Sequence, residues 1–285
     1  MAIHPNDISL IIPVKDNQKG INDFFNAFFE THTPEEYPLE LIVVDNNSTP
    51  AITLPALPKK DGGLTVKLLN CSKLGPACAR NKGAFEASGK WLLFIDSDCV
   101  PTTSLIEAYC QCKKEGVVAY AGSVNALGKD NVSQYYQSQQ IHYAPAIIDK
   151  NGERKPKCLV AANILVLKKV FHQINGFNEA FEFGGEDIDF GLRLAKEGDL
   201  AYAPNAIVLH NYDDGFRGFI RRFYAYGIGN RLVEQYHDIH LIPLPFTAKN
   251  KKVVVNHFLA LIQWGCLLCG YLKTDMLLRI KVLKK

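Results

Sequence analysis

The stretch "WLLFIDSDCVP", Trp91 to Pro101, is an apolar run that ends in two carboxylates with one residue between them. Five consecutive apolar residues favour a strand that is buried on both faces. In an extended chain Asp96 and Asp98, at i and i+2, point to the same side. The pair is either a polar turn after a strand or a cation site, because carboxylate oxygens are ligands of Mg²⁺ and Mn²⁺.

Similar apolar runs lie on both sides of this stretch and alternate with helical patterns. The strand-like runs are 8–14, 39–45, 64–70, 116–124, 159–169 and 200–210. The helical patterns are 21–32, 75–88, 103–115 and 185–198. Continuous apolar runs separated by helices predict an α/β fold with a mostly parallel sheet flanked by helices.

Composition narrows the class of protein. The chain has 285 residues, 47% hydrophobic and 21% charged, as in a globular protein with one large domain and an appendage. A net charge of +3 gives no reason to expect a nucleic-acid partner. The eight cysteines lack matching histidine pairs, and the first residues lack the basic region and cleavage site of a secretion signal. We therefore expect reduced thiols and a cytoplasmic protein.

Polar side chains close several of the predicted strands. Asp45, the pair Asp96 and Asp98, and His210 each follow an apolar run. In open α/β sheets, ligands bind beyond the carboxyl ends of the strands. Each residue alone could belong to an ordinary turn. Together they favour a binding site at one edge of the sheet.

A second acidic motif, Gly-Gly-Glu-Asp, occupies residues 184–187. The glycines permit close backbone approach, and Glu186 and Asp187 open a predicted helix. Acids at a helix N-terminus are also favoured by the helix dipole, so capping is the alternative explanation. Asp189 is explained by an ion pair with Arg193, four residues later. Glu186 and Asp187 remain as candidates for acid–base chemistry.

Five segments together resemble glycosyltransferase family 2, in order and in approximate spacing, over about residues 8–230. They are "LIIPVKDN" (10–17), "LIVVDNNST" (41–49), "GPACARNKG" (75–83), "FIDSD" (94–98) and "GGEDIDF" (184–190). The resemblance implies the Rossmann-like GT-A fold and a metal-dependent, inverting transfer from a nucleotide-diphosphate sugar, with a UDP-sugar favoured. The chain departs from the family after the first-strand proline, where Lys15 and Asp16 replace a frequent aromatic residue and Asn.

The resemblance also implies roles for individual residues. Those implied at the nucleotide sugar are Pro13, Val14, Asp45, Asn47, Arg80, Asp96 and Ser97. Pro13 and Val14 would line the nucleobase pocket, and Asp45 would contact base or ribose. Arg80 would approach the base or the diphosphate, and Asp96 would lie near the ribose.

The same resemblance implies the metal and acceptor residues. Asp98 and His210 would bind Mn²⁺ or Mg²⁺. Gly184, Gly185 and Glu186 would contact the acceptor, and Asp187 would be the general base. Three arginines that follow, Arg221, Arg222 and Arg231, could contact phosphates or form a solvated basic face.

We divide the chain into a glycosyltransferase domain, 1–240, and a C-terminal helical extension, 241–285. The donor half would be about 1–125 and the acceptor half 126–240, with the polar region 131–157 as an acceptor loop. The acceptor could be a glycan, a lipid-linked molecule or a protein. Two alternatives remain. A sugar nucleotidyltransferase would need a basic, Gly-rich loop that "PVKDNQKG" matches poorly, and a non-catalytic nucleotide-sugar-binding module would have a broken motif.

The apolar segment 253–272 is long enough to span a bilayer. Basic residues flank it on both sides: Lys249, Lys251, Lys252, Lys273, Arg279, Lys281, Lys284 and Lys285. Basic clusters on both flanks oppose a single span, whereas an in-plane helix lets both meet anionic headgroups. We favour peripheral contact with the inner face of the cell membrane through residues 249–285. A true span, and a helix packed on the domain or in a homodimer, stay open.

Overall fold

A computed structural model describes residues 2–57, 63–112, 114–250 and 253–283, and strands and helices alternate along them. The strands are β1 (Ile8–Val14), β2 (Glu40–Asp45), β3 (Thr65–Asn70), β4 (Trp91–Ile95), β5 (Cys99–Pro101), β6 (Val117–Ala126), β7 (Ala146–Ile148), β8 (Arg154–Pro156), β9 (Asn163–Leu167) and β10 (Asp199–His210). The helices are α1 (Gln18–Thr31), α2 (Pro76–Glu86), α3 (Leu105–Cys110), α4 (Asn131–Gln139), α5 (Lys168–Gln173), α6 (Glu186–Leu194), α7 (Gly215–Tyr236) and α8 (Val254–Leu283).

The main sheet has the strand order β3-β2-β1-β4-β9-β6-β10-β5. Within the described residues, four of the seven neighbouring pairs are parallel, and β9 runs antiparallel to both β4 and β6. The predicted α/β fold with helices on the sheet is confirmed. The reversal at β9 arises because the segment after β6 forms structure at that strand's carboxyl end instead of crossing back over the sheet.

Apolar side chains cover both faces of the sheet, as the continuous runs predict. In β1, Leu10 and Ile12 belong to the apolar cluster that contains Phe24 and Phe28 of α1. Ile11, which points the other way, belongs to the opposite cluster, to which α2, α5 and α6 contribute. Because strand side chains alternate, both faces must be apolar in a strand that is covered twice.

The region 131–157 contains regular structure, and the prediction of a loop over these residues is wrong. The carboxylate of Asp130 accepts hydrogen bonds from the amides of Val132 (2.9 Å) and Ser133 (3.1 Å) and so caps α4. Strands β7 and β8 form a hairpin, whose turn is closed by Asp149 Oδ1 accepting from the amides of Asn151 and Glu153. Side-chain hydrogen bonds of this kind stabilise short helices and turns in polar segments.

α8 packs lengthwise against α7, and glycines bring the two backbones close together. A Cβ atom on Gly227 would lie 2.0 Å from the carbonyl oxygen of Leu267, and one on Gly270 would lie 2.1 Å from that of Tyr224. By length and composition, residues 254–280 could cross a membrane, although a third of the most apolar stretch is buried against the protein. Lys251, Lys252, Lys284 and Lys285 lie outside the described residues.

Candidate active site

A cavity of about 430 Å³ lies beyond the carboxyl ends of β4 and β10. It is lined by eight of the predicted site residues, namely Arg80, Asp96, Asp98, Gly184, Gly185, Glu186, Asp187 and His210. Arg80 comes from α2, and the two acids of the Asp-Ser-Asp motif follow β4. The predicted metal, acceptor and base residues come from the segment between β4 and β5, the end of β10 and the start of α6, and they line one cavity.

Asp98 and His210 face each other across 3.3 Å, measured from Oδ1 to Nε2. The pairing of β10 with β5 places His210 opposite Cys99, the residue that follows Asp98. On its other side, His210 Nδ1 lies 3.0 Å from the carbonyl oxygen of Asn211. A carbonyl can only accept, so Nδ1 donates this bond, and in the neutral ring Nε2 keeps a free lone pair toward Asp98.

These donor atoms fit a hard or borderline divalent cation. A carboxylate and an imidazole suit Mn²⁺ or Mg²⁺, and the hydrogen bond at Nδ1 fixes the ring as second-shell contacts do at metal sites. Burial raises the pKa of Asp98, so its ionised form needs a nearby positive charge. The thiol of Cys99 is also close, but it is fully buried in the core and does not line the cavity.

Arg80 connects the two acidic motifs. Its Nη2 donates to Asp96 Oδ1 (2.6 Å), its Nη1 donates to Glu186 Oε1 (2.8 Å), and the guanidinium lies over the Phe177 ring. Arg80 is 4% exposed, so it is not an ordinary surface residue of α2. In this structure it holds two carboxylates in place, and the predicted contact with base or diphosphate stays a prediction.

Asp187 lies in the cavity with the chemistry of a base near neutral pH. Burial, followed by the charge of Glu186, raises the pKa of Asp187 to about 7. Its Oδ1 accepts a hydrogen bond from the amide of Ile188 (2.8 Å). The preceding Gly185 has a φ of 90°, and a Cβ there would lie 2.9 Å from the Cα of Gly229 in α7. Glycine is required at this point because any side chain would push the loop off α7.

Five predicted donor residues lie outside the cavity. Pro13, Val14, Asp45 and Asn47 are at the ends of β1 and β2, where Val14 pairs with Asp45. Both carboxylate oxygens of Asp45 accept backbone amides, from Ser48 (2.9 Å) and Ile52 (3.0 Å). The carbonyl of Ser97 accepts from the amide side chain of Asn17 (3.0 Å). Their roles at the nucleotide stay predictions.

Comparison with known proteins adds the family. The family model described as "Glycosyl transferase family 2" matches residues 9–174. The chain belongs to this family. A second model, "N-terminal domain of galactosyltransferase", matches residues 150–212 of this glycosyltransferase. Membership establishes the enzyme class that the five segments predicted.

Two relatives illustrate the sequence similarity of this glycosyltransferase. The "Pre-mycofactocin glycosyltransferase" of Mycobacterium tuberculosis is 27% identical over 229 residues, 78% of this chain and 46% of that protein, so the chain spans about half of that relative. A "Dolichyl N-acetyl-alpha-D-glucosaminyl phosphate 3-beta-D-2,3-diacetamido-2,3-dideoxy-beta-D-glucuronosyltransferase" of Methanococcus voltae is 23% identical over 273 residues, 90% of this chain and 84% of that protein.

A solved structure with the same fold is "Mannosyltransferase PcManGT from Pyrobaculum calidifontis in complex with GDP-Man and Mn2+". It superposes with a TM-score of 0.56 over 96% of this chain and 76% of that chain, at 15% identity. The predicted GT-A sheet of the glycosyltransferase is therefore confirmed. At this level of identity, the similarity concerns the fold.

Several residues that line the glycosyltransferase cavity were missed by sequence reasoning. His142 lies between the hydroxyl groups of Tyr212 (2.8 Å from Nδ1) and Tyr226 (3.0 Å from Nε2). The ring of His210 lies 4.8 Å from that of His142 and stacks on that of Tyr212, and the rings of His142 and Tyr212 also lie next to each other. The predicted metal ligand His210 therefore packs in a cluster with these two rings. The only sequence signal was the density of aromatic residues in the presumed loop.

The three arginines that follow β10 differ in position and in contacts. Arg222 lines the cavity and donates to Asp214 Oδ1 (2.7 Å) and to the hydroxyl of Tyr136 (3.1 Å). The side chain of Arg221 is 77% exposed. Arg231 pairs with Asp275 of α8 (2.8 Å) and joins the two C-terminal helices. Only Arg222, among these three, is placed to meet a ligand in the cavity.

The extension also contributes to this site. Gln263 and Leu267 of α8 line the same cavity as Asp98 and Asp187. The side-chain carbonyl of Gln263 accepts a hydrogen bond from the hydroxyl of Tyr135 in α4 (2.7 Å). The predicted boundary near residue 240 therefore does not separate α8 from the site.

We expect Arg80→Met to destabilise the glycosyltransferase. Removing the cation leaves Asp96 and Glu186 without their buried partner, which costs about 3–5 kcal/mol in comparable ion pairs. Denaturant unfolding measures the change in free energy of unfolding, with Arg217→Met on the exposed face of α7 as the control. Equal stability of the two variants would contradict the bridging role of Arg80.

Proposed function

We propose that this glycosyltransferase transfers a sugar from a nucleotide-diphosphate sugar, with a UDP-sugar as the favoured donor, to an acceptor hydroxyl with inversion. One observation carries the proposal. The Asp98–His210 pair and Asp187, a carboxyl with a pKa of about 7, line the same cavity. A cation site and a base on one cavity match the two ends of a displacement at an anomeric carbon.

On the donor side, Asp98 and His210 would hold Mn²⁺ or Mg²⁺. When bound, the ion offsets the negative charge that develops on the leaving nucleoside diphosphate. Asp96 would lie near the ribose, held by Arg80. Pro13, Val14, Asp45, Asn47 and Ser97 would contact the rest of the nucleotide along the ends of β1 and β2.

On the acceptor side, Asp187 would remove the proton of the attacking hydroxyl. The acceptor oxygen forms a bond to the anomeric carbon while the bond to the diphosphate oxygen breaks, and the proton moves to the Asp187 carboxylate. An in-line displacement of this kind inverts the anomeric configuration. Glu186 supports the assignment, because its buried Oε2 has no hydrogen-bond partner among the described residues and could accept a second acceptor hydroxyl.

Thermal-shift measurements with a panel of nucleotide sugars, with and without Mn²⁺, test the donor and the metal together. A ligand at about 100 times its Kd adds about 2.7 kcal/mol to the free energy of unfolding, enough to raise the melting temperature. We expect nucleotide sugars with one particular nucleobase to raise the melting temperature of the chain, and only when Mn²⁺ is present. Nuclear magnetic resonance of the product then reports the anomeric configuration. Retention, or equal stabilisation without metal, would contradict the proposal.

Family membership argues against the two alternatives considered above. A sugar nucleotidyltransferase would form a nucleotide sugar from a nucleoside triphosphate and a sugar phosphate, and a binding module would turn over nothing. Incubation with each substrate pair, followed by chromatography of the nucleotide products, distinguishes the three activities. We expect nucleoside diphosphate from the nucleotide sugar and no pyrophosphate.

We also propose a cytoplasmic enzyme that contacts the inner face of the cell membrane through residues 249–285. Support comes from the length and apolar composition of α8. The acceptor classes considered, a glycan, a lipid-linked molecule or a protein, all offer the hydroxyl that Asp187 requires.

A further inference from the structure

α8 has an unusual distribution of side chains for a helix on a protein surface. Three polar residues, Asn256, Gln263 and Thr274, lie on its buried side and are at most 8% exposed. One outward stripe is apolar and consists of Val254, Phe258, Leu261, Leu272 and Met276, each more than half exposed. These positions share one face, because 18 residues make five turns. A helix that meets water has the reverse pattern, so the stripe is suited to an apolar medium.

The net charge of the C-terminal segment indicates which apolar medium the stripe contacts. Residues 249–285 contain eight Lys and Arg against one Asp, whereas the whole chain contains 32 basic against 29 acidic residues. Lys249, before α8, and Lys273 and Arg279, in its C-terminal half, are exposed. An apolar face with an excess of basic residues fits an anionic lipid surface. A second copy of α8 fits less well, because it would bring like charges together.

The linker before α8 also exposes apolar side chains. Trp264 of α8 donates from Nε1 to the carbonyl of Pro243 (3.1 Å), which fixes the linker beside the helix. The neighbours of Pro243, Ile242 and Leu244, are 53% and 74% exposed. Apolar side chains from two separate segments therefore flank each other, which a single surface helix would not provide.

The cavity determines how α8 meets the membrane. Gln263 and Leu267, in the middle of α8, line the cavity that holds Asp98 and Asp187. A spanning α8 would carry the charged residues of this cavity and the exposed Arg221 of α7 to the depth of the hydrocarbon core, where charged groups are costly. With α8 in the plane of the surface, the cavity remains in water, about one helix diameter of 10 Å from the lipid.

We propose that the acceptor is a saccharide carried by a membrane lipid, which enters the cavity past Gln263 and Leu267 while its lipid stays in the bilayer beneath α8. The inference rests on the proposed function, since it brings the acceptor hydroxyl to Asp187. The wall beside α8 is apolar, formed by Leu267 together with Ile141 and Phe223, as the neck of an amphiphile requires. A soluble glycan or protein has no need of either surface.

The membrane part is tested by sedimentation of the full chain with vesicles of phosphatidylglycerol and phosphatidylcholine. We expect binding that Phe258→Glu and Leu261→Glu each weaken about tenfold or more, since each puts a charge where apolar area is buried. Phe85→Glu is the matched control, because Phe85 of α2 is 56% exposed and Phe258 is 61% exposed. Unchanged melting temperatures verify folding. Absence of binding, or equal binding by all variants, would overturn the inference.

Orientation and self-association have distinct outcomes in the same experiment. An in-plane helix is released by about 1 M salt, where the Debye length falls to about 3 Å, whereas a spanning helix resists salt and alkaline carbonate. Resistance would overturn the in-plane arrangement. Sedimentation velocity detects self-association. If the chain is a dimer that Phe258→Glu converts to a monomer, and it does not bind vesicles, the stripe contacts a second copy of the chain, and the proposal of a lipid contact is overturned.

The acceptor class is tested with a radiolabelled donor chosen by thermal shift, incubated with lysate of cells that produce the protein naturally. We expect label in the chloroform–methanol extract, and about tenfold less with Phe258→Glu, while the metal-dependent thermal shift with donor is unchanged. Label in the water-soluble glycan or protein fraction would overturn the lipid acceptor and leave the proposed function intact. No transfer to any fraction would overturn both.

Discussion

Replacing Asp187 with Asn is expected to lower the rate of sugar transfer by about 10²–10⁴-fold, the usual contribution of a general base. Asparagine keeps the size of the side chain and its hydrogen bond from Ile188 but cannot take a proton. Initial rates under saturating donor and acceptor measure the loss. The thermal shift with donor and Mn²⁺ should be retained, because Asp187 would act on the acceptor side.

Glu182→Gln is the matched control, since Glu182 is an exposed acid five residues earlier. It should transfer sugar at the natural rate, and a full rate in Asp187→Asn would refute the base assignment.

The free energy of unfolding shows whether a loss of rate in Asp187→Asn comes from catalysis or from misfolding. The folded pKa of Asp187, about 7, lies above the value of about 3.9 for an unfolded Asp, so the free energy of unfolding falls as pH rises between them. Asp187→Asn should therefore be at least as stable at pH 8.

The same carboxyl predicts the pH dependence of the reaction. The base acts only when it is ionised, so kcat should rise with pH through about 7 and then level off. The charge of Glu186 contributes to this raised pKa, and Glu186→Gln should move the rising limb to lower pH. A pH–rate profile of both proteins measures the shift. An unmoved limb would show that the titrating group is not next to Glu186.

Asp98→Asn has the second large expected effect, loss of the cation. Removing a charged ligand should weaken Mn²⁺ binding by about 100-fold or more, because mutating even an outer-shell partner costs 10–100-fold. Paramagnetic resonance or calorimetry in the presence of nucleoside diphosphate measures the affinity directly, without turnover. His210→Gln should weaken Mn²⁺ binding by a similar factor. EDTA should stop sugar transfer by the natural chain.

Glu30→Gln provides the control for the metal experiment, because Glu30 is an exposed acid on α1. Asp45→Asn is informative in another way. Asp45 lies outside the cavity, so this substitution should leave the affinity for Mn²⁺ unchanged and lower the affinity for the nucleotide. If Asp98→Asn binds Mn²⁺ with the affinity of the natural chain, Asp98 is not a metal ligand.

Sequence predicted the sheet and eight of the residues that line the cavity, because both depend on local patterns. The continuous runs of β1, β2 and β4 are buried on both faces, and Asp98 and His210 close strands that end at the same edge. Strand ends are placed by topology, so a motif at each end is brought to one place without any detailed packing being known.

The bridge through Arg80 could not be predicted in this way. Arg80 and Glu186 are 106 residues apart, and their contact depends on how α2 and the start of α6 pack beneath the cavity. An arginine on a helix gives no signal of burial in sequence alone. The reversed direction of β9 was equally hidden, since an apolar run has no direction. His142 was missed because it follows α4 in an irregular segment, and its partners Tyr212 and Tyr226 are 70 and 84 residues away in sequence.

The glycine contacts of α7 also fix a distance. A Cβ on Gly229 would lie 2.5 Å from the carbonyl of Gly184, three residues before Asp187, and a Cβ on Gly227 would lie 2.0 Å from the carbonyl of Leu267 in α8. Main chain therefore rests on main chain from α8 through α7 to the loop of Asp187. The distance from α8 to the Asp187 carboxylate is set by the thickness of these backbones. Substitutions of surface side chains leave that distance unchanged, whereas any residue larger than glycine at position 227 or 229 would increase it.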